Sequence, residues 1–156
     1  MSFKNRLFWI AGSVGLIFDQ LTKYLIARSL ELTESIPLWE GVFHFTYVTN
    51  KGAAFGLFRE SGGWLRWLSL AVSLGLMALA WFGPKMQRWE QVGYGFILAG
   101  ALGNGIDRFL YGEVIDFLDI RLINFAIFNI ADVCINIGII CLLISAFGQS
   151  EKSARS

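Results

Sequence analysis

The sequence predicts a mainly α membrane protein, with four transmembrane helices and a small extracytoplasmic β element between the first two. Of its 156 residues, 55% are hydrophobic and 16% charged, against roughly 25% charged in an ordinary soluble domain. Four apolar stretches, at about 7–26, 64–82, 89–106 and 125–147, each approach the roughly 20 residues that cross a bilayer. Between the first two stretches, one segment alternates side-chain character with a period of two, as a strand does. The length suits a single domain, 1–156. So apolar a composition excludes disorder, and a formal net charge of +1 leaves no basic surface for nucleic acid.

The first stretch follows Lys4 and Arg6 and is interrupted late by Asp19 and Lys23. A cleaved signal peptide begins this way. Asp19, however, stands where a small-residue cleavage site would fall, and further apolar runs follow, so a retained span is expected. The outer β element, about 36–58, contains Val42-Phe43-His44-Phe45-Thr46-Tyr47-Val48, with Phe43, Phe45 and Tyr47 on one side. That aromatic face rests either on the bilayer surface or on the protein's own helices. Asn50-Lys51-Gly52-Ala53-Ala54-Phe55-Gly56 then supplies turn residues.

The second stretch carries Trp64, Trp67 and Trp81, which fit interfacial belts, and Gly83-Pro84 breaks the chain before the third. The fourth carries Asn129, Asp132 and Asn136 at i, i+3 and i+7, a polar stripe that has to face protein or water. Lys4 and Arg6, Lys85 and Arg88, and Lys152 and Arg155 mark three short segments as cytoplasmic. Both termini then lie inside, and the connections after spans one and three lie outside.

Ionisable groups within spans are costly and point to function by default. Asp19 and Lys23 stand four apart with the acid first, the order of a mutually neutralising helical pair. Asn104, Asp107 and Arg108 share a face at the outer end of span three. Asp116 follows the turn at Tyr111-Gly112, between apolar neighbours. The topology brings Asp116 and Asp132 to the same outer leaflet. Two carboxyls in a partly dry site cannot both ionise easily, so one stays protonated as acid while the other activates water. Spacing alone leaves a second reading open, in which these acids are ion-paired to Arg108 or Lys23.

Several other chemistries find little support. No His-Glu-x-x-His or Gly-x-Ser-x-Gly is present, and the sole histidine, His44, lies in the β element. Cys134 and Cys141 lie two helical turns apart and offer neither a bridge nor zinc spacing. Two rivals stay open: a small proton- or ion-coupled membrane transporter, whose sites usually lie nearer the midplane, and a lipid phosphotransferase with Mg²⁺ on Asp107, Asp116, Asp119 and Asp132.

Five pieces of the chain, in order, carry a resemblance: Asp19-Gln20-Leu21-Thr22-Lys23, Asn50-Lys51-Gly52-Ala53-Ala54-Phe55-Gly56, Gly103-Asn104-Gly105-Ile106-Asp107-Arg108, Gly112-Glu113-Val114-Ile115-Asp116-Phe117 and Phe128-Asn129-Ile130-Ala131-Asp132. In these the chain resembles the lipoprotein signal peptidase (signal peptidase II) family of bacterial inner membranes, over nearly its whole length. The resemblance implies four transmembrane helices with a periplasmic β-cradle. It implies a metal-independent aspartic endopeptidase, needing no cofactor, that cleaves lipid-modified prolipoproteins just before the diacylglyceryl-cysteine. It assigns Asp116 and Asp132 as the catalytic pair. Asn50, Asn104, Arg108 and Asn129 are then expected around substrate and dyad, with Asp19, Lys23 and Asp107 as orienting groups. The expected partners are lipid-modified prolipoproteins and membrane phospholipid.

Overall fold

The computed structural model describes residues 4–52 and 62–154, so the end of the expected β element and the Ala53-to-Gly56 part of the expected turn lie outside the described residues. The order is α1 (Arg6–Ser29), β1 (Ser35–Trp39), β2 (Phe43–Asn50), α2 (Leu65–Phe82), α3 (Arg88–Leu110), β3 (Val114–Ile120) and α4 (Ile130–Ala154), with 3-10 turns at Gly62–Trp64 and Arg121–Ile123. A capping box starts α3: Glu90 accepts from the Gln87 backbone at 2.9 Å, and the Gln87 side chain accepts from the Glu90 backbone.

The bundle is built around α3, which packs on each of the other three helices. Its approach to α4 is close enough that a Cβ on Gly138 would fall 2.6 Å from the Gly93 carbonyl oxygen. Small residues permit such backbone contact. At Gly103 the missing side chain leaves room for the Asp19 carboxylate of α1. The apolar core of Phe8, Ala80, Met86 and Leu98 ties α1, α2 and α3 together at the end away from the sheet.

Burial is inverted relative to a soluble bundle. Ile10, Val14, Ile17, Phe18, Leu21 and Leu25 of α1 are all at least half exposed, whereas Asp19 and Lys23 on the same helix are buried. Among the described residues, Leu65–Phe82 and Ile130–Gly148 are long and apolar enough to cross a membrane by composition alone. The stretches expected as spans one and three fall short of that measure. In α1 the cause is the polar run from Asp19 to Lys23; in α3 it is Glu90, Gln91, Asn104, Asp107 and Arg108 together with its many glycines.

The fourth expected stretch, 125–147, runs early: the helix begins only at Ile130. Ahead of it Phe128 pairs with Leu118 as an isolated antiparallel bridge, so its backbone is committed to the sheet. Among the described residues the sheet has three strands in the order β1-β2-β3, all antiparallel. Its third strand, formed after α3, extends the β element beyond the expected 36–58 segment. Phe45 packs on Phe43 at 5.8 Å and on Phe117 of β3 at 6.0 Å between ring centroids, so this part of the aromatic face rests on the protein itself. Between Phe45 and Val48, β2 carries one residue more than β3 does between Leu118 and Asp116, which makes a bulge beside Asp116.

Candidate active site

Asp132 is oriented by the start of its own helix. Asn129 is the N-cap: its side-chain oxygen accepts from the Asp132 backbone N–H at 3.0 Å, and Asp132 Oδ2 accepts from the Asn129 N–H at 3.2 Å. This reciprocal pair is a capping box made with Asn and Asp. Asn129 was expected inside the helix as part of the polar stripe; the structure puts it at the cap. Asn136, also of that stripe, is exposed and donates back to the Asp132 carbonyl at 2.9 Å.

Asp116 arrives from β3. Its Oδ1 accepts from Asn129 Nδ2 at 2.6 Å and its Oδ2 from Asn50 Nδ2 at 3.2 Å. Asn129 therefore touches both acids, one through its side-chain amide and the other through its backbone. Phe128 fixes the geometry between them, since its carbonyl accepts from the N–H groups of Phe117 and Leu118 at 3.0 and 2.8 Å. Asn104 completes the bridge: Nδ2 donates to Asp132 Oδ1 at 3.0 Å, and Oδ1 accepts from Asn129 Nδ2 at 3.0 Å.

Behind this layer lies a closed charge cluster. Lys23 Nζ donates to Asp19 at 2.9 Å, Asp107 at 2.8 Å and Asn104 Oδ1 at 3.0 Å. A lysine has three N–H donors, and all three are committed here. Asp19 Oδ1 also accepts from the Ala131 N–H at 2.8 Å, capping α4 from α1. Asp107 Oδ2 accepts from the Ile115 N–H at 3.3 Å and so tethers β3. Gln20 knits the two acids together, donating to Asp19 Oδ2 and Asp107 Oδ1 at 3.1 Å each. Its position within the first motif was the only sequence signal for it. Arg108 donates to the carbonyls of Asn104 at 3.3 Å and Gly52 at 3.2 Å. Among the described residues, ion pairing of Asp116 or Asp132 with Lys23 or Arg108 is thus not what the structure shows.

Asp116 and Asp132 line one cavity of about 1100 Å³, with Asn50, Asn104 and Arg108 on its polar side and Val48, Val114, Phe125, Phe128 and Ile135 among its apolar walls. Burial, reinforced by the negative charge of Asp132, pushes Asp116 up to about 7, against hydrogen bonds from Asn50 and Asn129 and the charge of Lys23. The arrangement can hold a proton on one carboxyl beside a second one at the same wall. A four-acid magnesium cradle does not form: Asp107 is paired with Lys23, and Asp119 bonds Thr46 and Arg121. Among the described residues, no three His, Cys, Asp or Glu side chains gather as metal ligands.

A family profile described as Signal peptidase (SPase) II matches residues 12–148. The lipoprotein signal peptidase of Microcystis aeruginosa is 68% identical over 150 residues, covering 96% of this chain and 97% of its own. That of a Cyanothece strain is 64% identical over 159 residues, covering 100% and 92%. Two solved structures, both bacterial membrane enzymes determined by the in meso method, superpose with TM-scores of 0.82 and 0.76. The first is 33% identical, with 92% of this chain and 88% of that one covered; the second is 34% identical, with 88% and 90% covered.

Proposed function

The chain belongs to the signal peptidase II family, and on that premise we propose how its geometry performs the cleavage. It is an aspartic-type membrane peptidase that removes signal peptides from prolipoproteins. Asp116 and Asp132 are the catalytic pair. The observation that carries this is their shared cavity wall, bridged by Asn129, with Asp116 retaining its proton to about pH 7.

Asp132, oriented at the α4 N-terminus, takes a proton from water as that water attacks the scissile carbonyl carbon. Asp116 donates its proton toward the developing oxyanion. The tetrahedral species collapses as the C–N bond breaks: the proton gained by Asp132 passes to the leaving amine, and the hydroxyl that becomes the new carbonyl returns its proton to Asp116. Asn50 and Asn129 hold the Asp116 carboxyl, and Asn104 holds Asp132. Arg108, on the same wall, contacts the peptide. Asp19, Lys23 and Asp107 act from behind, through the α4 N-terminus and β3.

All four helices cross the inner membrane. Support comes from α1 and α3, whose 24 and 23 residues span about 35 Å at 1.5 Å per residue, and from the inverted burial of α1. Both termini lie in the cytoplasm, as Lys4, Arg6, Lys85 and Arg88 at one end of the bundle indicate. The pair then sits at the outer leaflet, level with the diacylglyceryl-cysteine of the substrate, and the cut falls just before that residue. Burying the acyl chains anchors the substrate by roughly 0.8 kcal/mol per methylene.

The test is to incubate the purified protein with a synthetic prolipopeptide, with and without its diacylglyceryl group, and to locate the cut by mass. Cleavage of the lipidated form alone, before the modified cysteine, is expected. Normal turnover by Asp116→Asn or Asp132→Asn would remove the dyad.

A further inference from the structure

The β2 bulge is pinned by a side-chain network that stands apart from the cavity. Ser35, His44, Thr46, Asp119 and Arg121 come from all three strands and the turn after β3. They meet on one face because Ser35 pairs with Thr46 and His44 with Asp119 in the sheet register. None of the five lines the cavity of Asp116 and Asp132.

Donor accounting gives the network a single direction. The Gly41 backbone N–H donates to His44 Nε2 at 3.3 Å, so that nitrogen is unprotonated and the ring carries its proton on Nδ1. His44 Nδ1–H then donates to Ser35 Oγ at 3.2 Å. Ser35 donates to Thr46 Oγ1 at 2.8 Å, and Thr46 spends its one hydroxyl proton on Asp119 Oδ2 at 2.7 Å. Arg121 closes the ends, donating to Asp119 Oδ2 at 2.9 Å and to Ser35 Oγ at 2.7 Å. Burial raises Asp119, but the hydrogen bonds from Thr46 and Arg121 and the charge of Arg121 outweigh it and hold that carboxyl below its ordinary value, so it anchors the chain as an acceptor.

Thr46 is one of the two β2 residues opposite the single β3 residue Phe117, and Asp116 directly precedes Phe117 on that strand. Toward β1 the bulge is held by backbone bonds of Tyr47 to Thr33 and Glu34, but toward β3 its ladder positions are unmatched, so on that side something other than the ladder has to fix its shape. Here the Thr46–Asp119 bond does so, three residues from the carboxyl being aimed. We propose that Thr46 and Asp119 are positioning residues for the cleavage reaction, clamping the β2 bulge to β3 so that Asp116 meets Asn50 and Asn129.

This inference rests on the dyad assignment above. It predicts that Thr46→Val, isosteric but lacking the hydroxyl, lowers kcat about tenfold with KM within about twofold, because misaiming costs rate more than binding. A loosened strand admits water to Asp116, so the alkaline limb of kcat/KM moves to lower pH. Thr46→Ser, which keeps the donor, restores both. Asp119→Ala, which removes the acceptor of the Thr46 hydroxyl, reproduces the valine phenotype.

The experiment uses the full chain in lipid nanodiscs and a lipid-modified prolipopeptide, with rates normalised to folded protein and Asp116→Asn run alongside. Wild-type kcat and an unmoved alkaline limb in Thr46→Val would overturn the clamp, as would equal losses in Thr46→Val and Thr46→Ser. If Asp119→Ala does not fold, the threonine pair decides. Turnover by Asp116→Asn would instead defeat the dyad assignment itself, whatever Thr46 does.

Discussion

The two ends of the bundle satisfy their buried polar groups in opposite ways. At the end away from the sheet, Asn5 donates to the carbonyls of Ala80 and Pro84 and accepts from the Met86 N–H. Gln91 accepts from the Leu7 N–H and donates to the Met86 carbonyl, and Lys4 donates to the Gly83 carbonyl. Each of those partners is backbone, and both amide side chains are neutral. At the sheet end, Asp19, Lys23, Asn104, Asp107, Asn129 and Asp132 bond largely to one another's side chains, and the front of the cluster opens on a cavity. Backbone-satisfied amides lock helix ends. A side-chain network carrying charge, with one face left open, costs more to assemble and is kept where chemistry needs it.

The largest break in this contrast is expected from Asp116→Asn or Asp132→Asn. Turnover of lipidated prolipopeptide should fall by about 10³ or more, while thermal unfolding in detergent barely moves. Lys23→Met comes next. It strips the shared cation from Asp19 and Asp107, and a broken buried pair costs about 3–5 kcal/mol; both melting temperature and rate should drop. At the opposite end, Asn5→Ala removes three hydrogen bonds and orphans the buried Met86 N–H. About 2 kcal/mol of stability should be lost, with kcat per folded molecule unchanged.

A further effect is one of pH. Asp116 keeps its proton in the folded protein to about 7, above its ordinary 3.8, so between those values the folded state binds more protons than the unfolded. Its contribution to stability is therefore undiminished below the lower value and erodes as pH rises toward the upper. Over the same range kcat/KM should hold, then decline above about pH 7 as the acid member is lost. Asp116→Asn should flatten this part of the stability profile, read by unfolding across pH.

How legible each end was in the sequence follows from the range of its contacts. Asp19 and Lys23 announce their pairing by helical spacing, and the order of apolar stretches already carries Asp116 and Asp132 to the same end. The strand β3 was missed because what makes Val114–Ile120 a strand is pairing with β2, far away in sequence, and no local alternation declares it. The α4 start was drawn early because residues 125–128 are as apolar as the helix they precede. The Asn-x-x-Asp of a capping box stood in the sequence and marks the true start. The Thr46–Asp119 bond left no signal, since a cross-strand bond at a bulge depends on a register that turn chemistry does not specify.

Asp116 and Asp132 sit on elements joined by one short stretch of chain, and Phe128 stitches the end of that stretch back to β3. Their separation is accordingly set by a local brace rather than by helix tilt. A bilayer that thickens or thins will lean the helices that cross it against one another, yet the two carboxyls should ride through that adjustment as one rigid piece.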